Sequence, residues 1–157
     1  MVISPKTHYR SLLDVYTDRL GDHLLVLDRR SQRVVGTYRL QTGEAARAAH
    51  GYYGEREFDF GPYESMRGQL IELGRACIDA RHRSFAVLNL LWCGIAAYAR
   101  ERGARYLIGC SSLTSSDEGD GAAAWQQLQP HVAHPTLLTR PRENFACALD
   151  HFGPAAK

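Results

Sequence analysis

The apolar and polar positions of this chain fall into short runs whose periods change several times. THYRSLLDVYTDRL (7–20) places Leu12, Leu13, Tyr16 and Leu20 at helical spacing, and Gly21 follows as a stop. HLLVLD (23–28) and RVVGTYRL (33–40) are apolar runs joined by the polar link 29–32, which predicts an antiparallel hairpin. TGEAARAA (42–49) predicts a short helix with Thr42 as its N-cap. GYYGEREFDFGPY (51–63) is aromatic and punctuated by Gly and Pro, which predicts a structured loop with a short strand.

QLIELGRACI (69–78) predicts the next strand. Ser84 then caps a helix over 85–102, with Leu88, Leu91, Trp92, Ile95 and Tyr98 as its apolar stripe and Gly103 as its stop. ARYLIGCSS (104–112) predicts a strand, SSDEGDG (115–121) a polar loop and AAAWQQLQ (122–129) a short helix. The strand–helix–strand order across 69–110 is a β-α-β unit, so its two strands are expected to be parallel neighbours joined by a right-handed crossover. The expected fold class is α/β: a mixed sheet with helices on its faces.

Length changes this picture little. The 157 residues fit one domain, with a core large enough to need no disulfide. Cys77, Cys93, Cys110 and Cys147 form no C-x-x-C pair, and buried free thiols in a reducing compartment are the expectation. A net charge of +2 gives no ground for a nucleic-acid partner. The N-terminal MVISPKTHYR lacks the apolar core of a secretion signal, and the apolar run 85–99 is too short to span a bilayer. A cytoplasmic protein is expected, with peripheral contact to the inner membrane left open. No metal is expected: His131 and His134 flank prolines, and Asp117, Glu118 and Asp120 lack calcium-loop spacing.

Two groups of residues suggest chemistry. Arg81, His82 and Arg83 stand just before a helix N-terminus, whose unpaired N–H groups and partial positive charge attract phosphate. Glu72 and Arg75 are three apart in a strand and would face opposite ways in a regular ribbon. A β-bulge shifts the phase by one residue and brings both to one face, and Gly74 is the residue such a bulge would use. A carboxylate there can take a proton from an ammonium nucleophile. Arg39, in the facing hairpin strand, can hold a substrate carboxylate with two parallel hydrogen bonds. Against these stand plainer alternatives: a structural Glu–Arg pair, an exposed strand arginine, and a loop of solvated cations.

VVGTYRL, YYGEREFDF, ELGRACI, RHRSFAV, LLWCGIAAYARERG and YLIGCSS, in that order, resemble the hemolysin-like, ornithine-lipid N-acyltransferase branch of the GNAT superfamily, related to acyl-homoserine lactone synthases. The resemblance covers about 22–142 of a single domain spanning 1–157, with 1–21 and 143–157 divergent. It implies a GNAT-like fold, a splayed mixed sheet with flanking helices and an acyl-thioester in its cleft. It implies transfer of a 3-hydroxyacyl group from acyl carrier protein to the α-amine of ornithine or a similar amino acid. No tightly bound cofactor is implied, since the thioester, on acyl carrier protein or coenzyme A, is a co-substrate. Glu72, Arg75 and Arg39 occupy the places of active-site residues in the related synthases. The thioester-binding segment maps to Ile78, Arg81, Arg83, Ser84, Phe85, Ala86 and Val87. Glycine usually stands where this chain has Ser84, Phe85 and Ala86, and bulky Phe85 suits a pantetheine arm better than a full coenzyme A. Family members are usually longer at both ends, so a shortened relative is expected, and its exposed strand edge would favour a homodimer. An acetyl-coenzyme A-dependent N-acetyltransferase and a truncated, non-catalytic GNAT-like module remain the alternatives.

Overall fold

The computed structural model describes residues 21–146 apart from Ser112, Ser116 and Ala133. The helix expected over 7–20 and the thiol of Cys147 lie outside the described residues. The described residues fall into two compact units, one made of 21–53 with 66–110 and the other of 54–65 with 111–146.

The first unit carries a four-stranded sheet in sequence order: β1 (Asp22–Asp28), β2 (Arg33–Thr42), β3 (Leu70–Ile78) and β4 (Tyr106–Ile108). β1, β2 and β3 pair antiparallel, and β3 and β4 pair parallel, so the sheet is mixed as expected. The hairpin forms because the Asp28 carboxylate accepts from Arg30 N (3.1 Å) and Ser31 N (3.3 Å), and Gln32 takes the left-handed conformation that closes the turn. Those hydrogen bonds, that from the Ser31 hydroxyl foremost, hold the Asp28 carboxyl below its usual pKa.

Helix α1 (Gly43–Ala48) starts where Thr42 Oγ1 accepts from Ala45 N (3.2 Å). Helix α2 (Phe85–Glu101) starts at Ser84, whose hydroxyl accepts from Val87 N (3.5 Å). Both caps agree with the sequence expectation. The buried stripe of α2 does not. Val87, Leu91, Gly94, Ile95 and Tyr98 face the core, while Leu88 and Trp92 lie toward solvent. The helix is apolar nearly all round, so spacing alone did not select its inner face. Gly94 selects it: a Cβ there would stand 2.6 Å from a Leu24 methyl, so α2 rests against β1 backbone to side chain.

The core joins this stripe to Leu24, Val26, Leu40 and Ile71 on one face of the sheet. At the far end of α2, Tyr98 donates to Asp22 Oδ2 (2.6 Å), and Arg102 Nη2 reaches the same oxygen (3.0 Å). The Arg102 guanidinium lies 3.6 Å from the Tyr98 ring centre. Burial first, then the Asp22 carboxylate, pushes the Tyr98 phenol well above its ordinary pKa.

On the opposite face, the segment after α1 packs against the strand connection. Tyr52 is buried and its hydroxyl donates to Arg67 O (3.3 Å). Gly43 sits so close that a Cβ would stand 1.9 Å from the same carbonyl oxygen. Gly43→Ala must therefore displace backbone, at a cost of about 1–3 kcal/mol. The expected result is a melting temperature lower by roughly 2–10 °C in a thermal denaturation series; an unchanged melting temperature would contradict this packing.

In the second unit, helix α3 (Glu118–Leu128) begins earlier than the sequence suggests. Asp117 Oδ1 accepts from Gly119 N (2.7 Å) and Asp120 N (3.2 Å), so the acidic run expected as a polar loop is a cap and first helical turn. The proline-bearing tail is tied to 54–65: Asp59 N donates to Arg140 O (2.8 Å), Arg142 N to Glu57 O (2.7 Å) and Tyr63 Oη to Leu137 O (2.8 Å). The short strand expected in 51–63 reduces to one bridge, Phe58 opposite Pro141. Burial raises the Tyr63 phenol pKa.

Three thiols depart from expectation. Cys77, Cys93 and Cys110 are all exposed and unbridged. The flanking residues of Cys77 and Cys93 are apolar, but Cys77 lies on the uncovered half of β3 and Cys93 on the solvent side of α2, while Cys110 stands between Gly109 and Ser111.

Candidate functional site

β3 contains a bulge, and the site is built on it. Gly74 pairs with Arg39 and Cys77 with Thr37, so Arg75 and Ala76 together stand opposite Tyr38. The bulge lies next to Gly74, as the spacing of Glu72 and Arg75 requires. Its left-handed residue, however, is Arg75 (φ 53°) and not the glycine. Gly74 serves a different purpose, since a Cβ there would come within 3.0 Å of Arg39 Nη2. Lacking a side chain, it leaves room for that guanidinium to lie across the strand.

Glu72 and Arg39 belong to the sheet face opposite α2, because their strand neighbours Ile71 and Leu40 enter the α2 core. Both are buried, at 2% and 3% exposure. Arg39 Nη2 lies 3.8 Å from Glu72 Oε2, a distance of ion pairing rather than of a hydrogen bond. The same Glu72 oxygen accepts from the backbone N–H of Tyr53 (2.8 Å). The Tyr53 ring centre lies 5.8 Å from the Arg39 guanidinium carbon and 5.6 Å from that of Arg75. Thus Arg39, Glu72 and Arg75, separated along the sequence, converge on one aromatic residue. Gln41 helps place the segment that carries it, donating from Nε2 to Gly51 O (3.5 Å).

The ladder between β3 and β4, where a splay is expected, ends beside this cluster. Their ladder holds only Leu70↔Tyr106, Ile71↔Leu107 and Glu72↔Ile108. β4 was expected to run over 104–112 but ends at Ile108. Gly109 follows, passing so near Leu73 O that a Cβ would stand 2.7 Å from it. Beyond that point β3 continues to Ile78 paired with β2 alone, and Arg75, Ala76 and Cys77 are exposed.

The segment 78–87 divides in two. Arg81, Arg83, Ser84, Phe85 and Ala86 are exposed at the α2 N-terminus, Phe85 at 83%. Ile78 and Val87 point inward and pack with the core. Val87 N is occupied by the Ser84 cap, so the amides of Phe85 and Ala86 are those presented at this helix end.

Asp79 organises the loop. Its carboxylate accepts from Arg81 N (2.9 Å), lies 3.5 Å from Arg81 Nε and 3.2 Å from His82 Nδ1. These contacts, the Arg81 amide foremost, hold its pKa at about 2. A carboxyl lowered in this way supports the loop fully above the ordinary carboxylate range. That support is lost only as the pH falls through about 2.

Tyr53 and Asp79 were not among the sequence candidates. Asp79 carried a signal, an Asp immediately before a cationic turn, which marks an N-cap. Tyr53 sits in the aromatic loop 51–63, where nothing local points to Glu72, nineteen residues on. A separate cleft of about 220 Å³ is lined by Asp22, His23, Leu24, Leu40, Tyr98, Glu101 and Arg102 and includes no member of the cluster. Geometry around Glu72, rather than the size of that cleft, identifies the candidate site. Among the described residues no group of histidine, cysteine and carboxylate side chains is arranged to hold a metal.

Comparison with known proteins bears on this arrangement. The chain is 39% identical over 103 residues to the L-ornithine N(alpha)-acyltransferase of Brucella abortus, covering 61% of this chain and 37% of that protein. It is 34% identical over 134 residues to the L-ornithine N(alpha)-acyltransferase of Rhodobacter capsulatus, covering 80% of this chain and 50% of that protein. The chain therefore spans between about a third and a half of the length of these relatives. Among solved structures, an acetyltransferase of Trypanosoma brucei superposes with a TM-score of 0.42 at 13% identity, over 75% of this chain and 67% of that one, too loosely to carry an argument. The acetyltransferase (GNAT) domain matches residues 5–93, more than half of the chain, and the bulged, splayed mixed sheet agrees with that match. The chain belongs to the acetyltransferase (GNAT) domain family.

Proposed function

We propose that this chain is an N-acyltransferase that moves a 3-hydroxyacyl group from acyl carrier protein to the α-amine of ornithine. The observation that carries the reading is the buried Glu72 carboxylate, flanked by Arg39 and Tyr53 and placed where β3 and β4 part. The name shared by the relatives supports the acceptor and the reaction class.

Glu72, directly or through one water, takes a proton from the ornithine ammonium. The freed amine attacks the thioester carbonyl. A C–N bond forms, the C–S bond breaks, and the departing thiolate takes up a proton. Backbone N–H groups near the Gly74–Ala76 bulge stabilise the developing oxyanion. Arg39 and Arg75 position the acceptor carboxylate or the acyl hydroxyl. Arg81, Arg83 and the amides of Phe85 and Ala86 hold the phosphopantetheine, with Asp79 fixing the loop. The thioester is a co-substrate in this scheme, and no resident cofactor is used. The reaction would draw on the cytoplasmic donor pool.

The test is incubation of the chain with 3-hydroxyacyl carrier protein and a mixture of amino acids, followed by mass spectrometry of the lipid extract. The expected product is an N-(3-hydroxyacyl) ornithine. Absence of any N-acyl amino acid would overturn the reading, and N-acetylation by acetyl-coenzyme A alone would replace it with the small-molecule acetyltransferase.

A further inference from the structure

The solvent face of α2 is apolar along its length. Phe85, Leu88, Leu90, Trp92, Cys93 and Ala96 are all exposed, with Trp92 at 46%. Asn89 interrupts this face, and no acidic residue occurs between Asp79 and Glu101. Folded proteins rarely expose this many large apolar side chains along one helix face without an occupant. Cations stand at both ends, Arg81 and Arg83 before the helix and Arg100 in its last turn. The two nearby acids are already engaged. Asp79 contacts Arg81 and His82, and Glu101 lies 3.9 Å from Arg102.

We propose that this face of α2 docks on an anionic lipid surface, with Phe85, Leu88 and Trp92 entering the headgroup boundary and Arg81, Arg83 and Arg100 meeting the phosphates. An apolar face bearing Trp and Phe, edged by arginine, is the pattern of a helix lying in the plane of a membrane. The spacing of the cations favours a bilayer over a single acidic protein helix. They bracket a helix about 25 Å long, a span suited to an extended anionic plane. The surface rests on the proposed reaction in one respect: joining a long acyl chain to an amino acid yields an amphiphile that belongs at such an interface.

The experiment uses the full chain carrying Trp125→Phe, so that emission reports Trp92 alone. Vesicles containing phosphatidylglycerol are expected to shift that emission to the blue and to carry the protein down on sedimentation; vesicles of phosphatidylcholine alone should do so weakly. Added salt should weaken binding. Arg81→Ser with Arg83→Ser should weaken it about 30-fold, at roughly fivefold per cation. In the chain that keeps both tryptophans, Phe85→Ser with Leu88→Ser should abolish sedimentation. The proposal is overturned if vesicles leave Trp92 emission unchanged. It is equally overturned if acyl carrier protein shifts that emission and vesicles do not, or if Trp92 is already shifted in a self-associated chain without lipid. Glu72→Gln should bind vesicles like the parent, so loss of the acyl-transfer reading and loss of this one are separable.

Discussion

Glu72→Gln is expected to lower kcat for acyl transfer to ornithine by about 10²–10⁴-fold, the usual contribution of a positioned general base. The substitution keeps the side chain's volume and an oxygen that can still accept from the Tyr53 N–H, but it removes the carboxylate charge facing the buried Arg39 guanidinium, so a lower melting temperature is expected beside the kinetic loss. What disappears is the carboxylate proposed to take a proton from the ammonium. Steady-state kinetics with 3-hydroxyacyl carrier protein, alongside a melting curve, separates the two effects. A folded variant that turns over at the parent rate would remove Glu72 from the mechanism and reduce its contact with Arg39 to a structural one.

Arg39→Ala should act mainly on stability. It leaves the Glu72 carboxylate buried without the adjacent guanidinium, a change that typically costs about 3–5 kcal/mol. For a chain of this size the melting temperature should fall on the order of 10 °C. Arg39→Met combined with Glu72→Gln removes both charges and should recover most of that loss, since a buried pair replaced as a unit is close to neutral. If the double variant melts no higher than Arg39→Ala, the guanidinium stabilises the sheet through contacts other than Glu72. With Arg39→Met alone as the matching single variant, Glu72→Gln and the double variant close a mutant cycle whose coupling term is the quantity of interest.

Features set by local chemistry were legible in the chain. Thr42 and Ser84 announce their helices by the hydroxyl that caps them, and 29–32 announces a turn. The phase conflict between Glu72 and Arg75 was enough to place a bulge beside Gly74, and Arg39 follows from the hairpin that faces it. What was hidden depends on partners far away in sequence. The inner face of α2 is set by Leu24 against Gly94, not by the helix's own nearly uniform apolarity. β4 ends at Ile108, and the close approach of Gly109 to the Leu73 carbonyl just beyond it depends on a residue far away in sequence. The link from Tyr53 to Glu72 exists only once α1 and the loop after it have folded over the sheet. Cys77 and Cys93 looked buried because their neighbours are apolar, yet the surfaces that carry them are uncovered.

Arg75 holds a backbone conformation that costs an ordinary side chain about 1–2 kcal/mol and glycine far less. A search for thermostable variants that screened only for survival of the fold would therefore be drawn early to Arg75→Gly. Such a winner would be sturdier and would have discarded one of the two guanidiniums beside Tyr53, so heat resistance competes at this single codon with the role proposed for Arg75.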